Sequence, residues 1–197
     1  EFDRIDEADG SPRLRRTDEF LENNAIHALL AEKLAEHNVL LMHGSALCID
    51  GEAVIFTAKS GTGKSTHSRL WREVFGERVK MINDDKPLLK ISDDKVIVCG
   101  TPWNGKHRLG ENICVPLRAV VKLCRGSANS IQPLSRSDAF GIVIKQSYIS
   151  QNKQTMKHIT ALEMKLINNT AFYELSCNMD KQAAMTAYHG IFEDKSH

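Results

Sequence analysis

The chain has 197 residues, is 42% hydrophobic and 26% charged, and carries a formal net charge of +1. That length fills one globular domain better than two, and dispersed Lys and Arg residues form no basic patch able to neutralise nucleic-acid phosphates. No apolar run approaches a membrane span, so neither nucleic acid nor a membrane is expected as a partner, and a cytoplasmic location is expected.

Residues 1–17 are polar, include Gly10-Ser11-Pro12 and read as a flexible lead-in, leaving a single domain over 18–197. Leu21, Ile26, Leu29, Leu30 and Leu34 recur at helical spacing and predict a helix from about Asp18 to His37, ended by Asn38. Val39–Ile49 and Ala53–Ala58 read as strands, and Asp50-Gly51 between them is the signature of a tight hairpin. A glycine-rich loop follows directly. The next helix runs from Lys64 to about Phe75, with Leu70, Trp71, Val74 and Phe75 on one face, and Gly76 stops it. Arg78–Ile82 is a short strand ending in Asn83-Asp84-Asp85, and Leu88–Ile91 with Lys95–Cys99 forms a hairpin about Asp93-Asp94. A loop punctuated by Gly and Pro spans Gly100 to about Pro116. Strands are predicted at Arg118–Cys124, Ile131–Leu134 and around Phe172–Ser176, and helices at Ser137–Ile149, Lys153–Asn168 and Asp180–Phe192. The fold class expected is α/β, with a mixed, largely antiparallel central sheet flanked by helices. Its phosphate loop follows a β-hairpin, whereas the commonest P-loop proteins place it after a central strand of a parallel sheet.

The five cysteines, Cys48, Cys99, Cys114, Cys124 and Cys177, make no CxxC and no metal-ligand spacing. They read as strand thiols in a reducing compartment, without a disulfide or metal role.

The run Ala58-Lys59-Ser60-Gly61-Thr62-Gly63-Lys64-Ser65-Thr66 is a Walker A loop in all but its first position, where Ala58 replaces glycine. Glycines let successive backbone N–H groups curl around a phosphate, and the helix N-terminus adds the positive end of its dipole. Ser60, Gly61, Thr62, Gly63, Lys64, Ser65 and Thr66 are therefore the expected nucleotide-binding residues, with ATP and Mg²⁺ as the expected ligands. Lys64 would reach the β- and γ-phosphates, and the Ser65 hydroxyl would ligate Mg²⁺.

Phosphoryl transfer needs a further carboxylate near the metal, and Asp84-Asp85 stands at a strand end where one is expected. One carboxylate would orient Mg²⁺ and the other would accept the proton of an attacking hydroxyl. Asp84 is the favoured base and Asp85 the favoured metal partner, with the reverse open. Asp93-Asp94 reads instead as a solvated turn. His43, followed by Gly44, opens the hairpin strand; on residue type alone a structural histidine is the commoner reading. Thr101-Pro102-Trp103-Asn104-Gly105-Lys106-His107-Arg108 could fold over bound ATP, with Lys106 or Arg108 offsetting charge on the transferring phosphate and Glu111 joining the metal shell. A solvated surface connection explains the same residues equally well.

The order His43-Gly44, strand pair, Ser60-Gly61-Thr62-Gly63-Lys64-Ser65, Asp84-Asp85 resembles the HPr kinase/phosphorylase family over roughly residues 39–90. That family shares a nucleotide-binding fold with ATP-dependent phosphoenolpyruvate carboxykinase. The resemblance implies that His43 and one of the two aspartates lie beside the transferred phosphoryl group. No counterpart of the family's later, dephosphorylating segment is found, and the chain looks more like the related small stand-alone kinases, some of which phosphorylate serine on peptides.

The function expected is ATP-dependent transfer of the γ-phosphate to a hydroxyl of a peptide, a protein or a small molecule, serine of a peptide or protein being favoured. A nucleotide-sensing module without transfer and a small-alcohol kinase are the alternatives. The GTPase pattern NKxD is absent, since Asn152-Lys153-Gln154-Thr155 lacks the Asp. The sequence leaves the acceptor and the oligomeric state open.

Overall fold

The computed structural model describes residues 18–105 and 108–193. The chain divides inside its first helix, α1 (Asp18–Ala35), into two units, Glu1–Leu30 and Ala31–His197. The first is described only through the helical residues 18–30; the second holds the sheet. The expected lead-in, 1–17, lies outside the described residues.

Nine strands form the sheet among the described residues: β1 (Val39–Leu41), β2 (Ser45–Ile49), β3 (Glu52–Thr57), β4 (Val79–Asn83), β5 (Leu88–Ile91), β6 (Val96–Cys99), β7 (Cys114–Arg125), β8 (Ser130–Pro133) and β9 (Ala171–Cys177). Seven of them follow the order β1-β5-β6-β7-β3-β2-β4, with β9 beside β7 and β8 beside β9. Only the β3–β7 and β7–β9 pairings are parallel, so the sheet is mixed and largely antiparallel, as the sequence implies. The helices beyond α1 are α2 (Lys64–Phe75), α3 (Arg136–Gln146), α4 (Lys153–Asn169) and α5 (Gln182–Tyr188).

The near-continuous apolar character of β2 and β3 follows from burial on both faces. Ala46, Cys48, Ala53 and Ile55 face one core with Val143 of α3 and Ile159, Leu162 and Leu166 of α4. The alternate residues Leu47, Ile49, Val54 and Phe56 face the other, with Leu70 and Trp71 of α2 and Ala183, Ala184 and Ala187 of α5. Trp71 and Phe56 are wholly buried; a large apolar side chain buried to this degree contributes about 1.5–3 kcal/mol. The hairpin turns at Asp50-Gly51, both with positive φ, and β3 leads straight through Ala58 and the glycine-rich loop into α2.

Four expectations are corrected. The run Val39–Ile49 is not one strand: β1 pairs with β5 and β2 with β3 and β4, and Met42-His43-Gly44 carries the chain between them. Gly44 is wedged there, and a Cβ on it would come within 2.8 Å of Ile55 Cγ2. Strand β7 starts at Cys114, four residues before the expected Arg118, because its first residues pair with β6. The last helix ends at Tyr188 and passes into a π-helical turn, His189–Glu193. Finally, Cys99 and Cys114 are disulfide-bonded, while Cys48, Cys124 and Cys177 are free. Cys99 lies directly opposite Cys114 in the β6–β7 register, with Cα atoms 4.2 Å apart, a juxtaposition invisible without that register.

Candidate active site

The loop after β3 is shaped by two glycines, Gly61 (φ 76°) and Gly63 (φ 121°), in backbone conformations that side chains disfavour. Ala58 has no positive φ and is buried, so alanine is tolerated where the strict pattern has glycine. Lys64 opens α2 and folds back over the loop, its Nζ donating to the Ala58 carbonyl at 3.4 Å. Burial lowers the Lys64 pKa, opposed by the charges of Asp85 and Asp84. Ser65, next on the helix, is exposed. No side chain caps the N-terminus of α2, so its first-turn N–H groups face the loop.

Strand β4 runs beside β2 and delivers Asp84-Asp85 to the same end of the sheet. Asp84 is almost buried; its Oδ1 accepts from Ser45 Oγ at 2.8 Å and lies 3.4 Å from Ser65 Oγ. Ser45 Oγ also lies 2.7 Å from Ser68 Oγ of α2. Asp85 is half-exposed and faces His43, with 3.7 Å between Oδ1 and Nε2. His43 in turn meets Gln146 at the end of α3, Nδ1 to Oε1, at 3.0 Å. Backbone bonds hold the group: His43 N–H donates to Gln146 O (2.8 Å) and Gly44 N–H to Asp85 O (3.0 Å). Burial and the nearby Lys64 ammonium lower the His43 pKa below its ordinary 6.5, outweighing Asp85 and Gln146, so the ring is neutral at pH 7.

The turn bearing the aspartates is set by Asn83, which is fully buried. Its Oδ1 accepts from the Asp85 and Lys86 N–H groups at 2.8 and 2.6 Å, and its Nδ2 donates to Thr101 Oγ1 at 2.8 Å and Trp103 O at 3.1 Å. The loop from Gly100 is thereby tied to the site. At Gly105 a Cβ would come within 3.1 Å of Asp84 O and 3.2 Å of Asp84 Oδ2, so glycine permits this approach.

His43, Lys64, Ser65, Asp84 and Asp85 therefore lie in one cluster. Of the two lid candidates, Lys106 lies outside the described residues, and Arg108 is exposed, with no side-chain contact to the cluster among the described residues. Glu111 is exposed and its side chain makes no hydrogen bond or ion pair to the cluster among the described residues, while its backbone N–H donates to Met81 O of β4 at 2.8 Å. Asp93, the pair read as a turn, forms a surface ion pair with Lys165 at 2.7 Å. Sequence reasoning missed Ser45, Asn83, Gln146 and Arg125. Arg125 Nη2 donates to the Gly61 carbonyl at 2.6 Å and braces the loop from β7. None of these four lies in a recognisable motif; only Ser45 and Asn83, adjoining His43-Gly44 and Asp84-Asp85, had positional hints.

A hydroxyl and a carboxylate, Ser65 and Asp84, form a hard-oxygen pair suited to Mg²⁺, which takes few protein ligands when phosphates supply the rest. The described residues contain no cluster of three or more His, Cys, Asp or Glu that could hold a metal without such help. No described helix is long and apolar enough to cross a membrane.

No protein-family model matches the chain, and no curated protein matches it in sequence. Among the solved structures that match is the Hpr(Ser) kinase/phosphatase from Coxiella burnetii, at 10% identity and a TM-score of 0.44, over 78% of this chain and 97% of that one.

Proposed function

We propose that the chain is an ATP-dependent kinase that transfers the γ-phosphoryl group to a hydroxyl, with serine of a peptide or protein as the favoured acceptor. The observation that carries this reading is Ser65 facing Asp84 at 3.4 Å, with the Lys64 ammonium within reach of the charges of Asp85 and Asp84 and His43 facing Asp85. A loop that only bound a nucleotide would need no second carboxylate and histidine at its phosphate end.

The loop N–H groups and Lys64 hold the β- and γ-phosphates. Ser65 and Asp84 would hold Mg²⁺, which when bound offsets the charge on the transferring phosphoryl group. Asp85 takes the proton of the acceptor hydroxyl as its oxygen bonds to the γ-phosphorus and the bond to the β–γ bridging oxygen breaks, releasing ADP. His43, neutral at pH 7 and fixed by Gln146, positions that hydroxyl against Asp85. The division of labour favoured from the sequence is thus exchanged: Asp84 is the aspartate beside Ser65, and Asp85 is the one half-exposed beside His43.

The test is to incubate the protein with γ-labelled ATP, Mg²⁺ and a lysate of the source cells, beside Lys64→Ala. Label transferred by the wild type alone supports the kinase. Label that stays in ATP despite nucleotide binding overturns it in favour of a sensing module.

A further inference from the structure

Two cavities flank the phosphate loop, one of about 980 Å³ and one of about 510 Å³, and Arg125 stands between them as part of both walls. The smaller is lined by the helical end of the loop, Gly63, Thr66 and His67, together with apolar Leu70 and Met179. None of its described residues bonds to His43, Asp84 or Asp85. The larger runs along the strand end of the loop, Ala58 to Gly61, and reaches Gln146, the hydrogen-bond partner of His43. An acceptor hydroxyl must approach both the terminal phosphate and the His43–Asp85 pair. Of the two, the larger alone is lined by a bonding partner of that pair, Gln146.

Its charge is uneven. Lys59, Lys122, Arg125 and Lys145 line it against two carboxylates, Asp138 and Glu174. Glu174 is taken by Lys122 at 2.7 Å, and Asp138 accepts from Ser135 Oγ at 2.6 Å. Arg125 is engaged with Gly61. Lys59 and Lys145, both exposed, form no ion pair among the described residues and come from different elements, one from the loop and one from the end of α3 beside Gln146. Two unneutralised ammonium groups lining a concave space attract an anion, and the space meets the catalytic cluster at the phosphate loop and Gln146.

We infer that the larger cavity is the acceptor site and that the acceptor carries a carboxylate or phosphate near its reacting hydroxyl, held between Lys59 and Lys145. This rests on the kinase reading and specifies its substrate class. The same chemistry is found in an acidic peptide segment and in a small hydroxy acid, and the volume admits either.

The experiment measures transfer from γ-labelled ATP to four probes: a serine heptapeptide flanked by glutamates, the same peptide flanked by lysines, glycerate and glycerol. Wild type and Lys145→Glu are compared, with nucleotide affinity measured on each; Lys145→Gln is the milder companion variant. The expected result is that an anionic member of a pair is preferred by about tenfold or more, the worth of one or two favourable charge contacts. Lys145→Glu erases or inverts that preference at unchanged nucleotide affinity. The peptide and small-molecule arms report which source the site accepts. Equal use of charged and neutral probes, refusal of both anionic probes, or a preference untouched in Lys145→Glu overturns the inference. In the first and third cases transfer itself persists, so the kinase reading stands while the cavity assignment falls. Absence of transfer to every probe and to lysate acceptors sinks both.

Discussion

The Ser65 hydroxyl faces Asp84: its Oγ lies 3.4 Å from Asp84 Oδ1, across the gap between the start of α2 and the end of β4. Asp84 is held in that position by Ser45, which donates to the same oxygen, so an asparagine there keeps an acceptor while losing the charge. Asp84→Asn is expected to fold normally and to lose about tenfold or more of the affinity gained on adding Mg²⁺ to ATP. Calorimetric titration of ATP with and without Mg²⁺ measures this. An unchanged Mg²⁺ increment would remove Asp84 from the metal's surroundings.

In the proposed reaction, His43 is expected to set an acidic limit. Burial first, and then Lys64, lowers its pKa from 6.5, so the neutral ring persists at pH 7 and protonates only further down. Turnover is expected to hold from pH 8 to about 6.5 and to fall as the ring charges below that. His43→Gln should lower turnover at pH 7 by about 100-fold and shift or abolish this limb. A kcat/KM–pH profile with the same acid limb in the variant would assign that limb to another group.

Asn83 satisfies two backbone N–H groups at the aspartate turn and anchors the loop at Thr101. Removing it strands the part-buried Asp85 and Lys86 N–H groups and leaves a polar void at a buried position. Asn83→Ala should cost about 2–3 kcal/mol of stability in urea unfolding at pH 7. A loss within about 0.5 kcal/mol, the range of an ordinary surface change, would show that the turn holds without it.

His67 links stability to pH. Its ring is buried against Phe56, accepts from Trp71 Nε1 at 3.1 Å, and has its pKa lowered by burial to about 4. The unfolded chain binds a proton near pH 6.5 and the folded chain does not until about 4, so stability falls as pH drops between them. The full effect is about 3 kcal/mol. His67→Gln, which can still accept from the indole, should lose less stability between pH 7 and pH 4.5. An unchanged pH slope in melting experiments would exclude His67 as its source.

The Cys99–Cys114 bond has a direct signature. Under non-reducing denaturation a thiol reagent should titrate three cysteines, and after reduction five. The bond closes the loop that carries Thr101 to Asn83 and Gly105 to Asp84, and closing a loop of this length contributes about 3 kcal/mol in the chain-entropy account. Five reactive thiols before reduction would contradict it.

What the sequence made legible was local. Asp50-Gly51, the apolar runs on either side and Gly61 through Ser65 declare hairpin, loop and helix through short-range chemistry, and the aspartates at the end of β4 were findable by position. The remainder depends on which strand lies beside which. Gln146 is 103 residues from His43 and reaches it only because the end of α3 bonds to the Met42–Gly44 crossing. Arg125 reaches Gly61 because β7 is parallel to β3, and Cys99 meets Cys114 through the β6–β7 register. Even Asp84 and Asp85, one residue apart, meet different neighbours, because Asn83 sets a turn just past β4, and no periodicity says which of the two faces Ser65.

The most direct test pairs binding with turnover in Asp85→Asn. ATP affinity in the presence of Mg²⁺ is expected to stay within about twofold of wild type, since Asp85 touches neither loop nor metal in this account, while transfer of label falls by about 100-fold or more. Wild-type transfer in Asp85→Asn, or a loss of nucleotide binding equal to its loss of turnover, would contradict the assignment of Asp85 as the base.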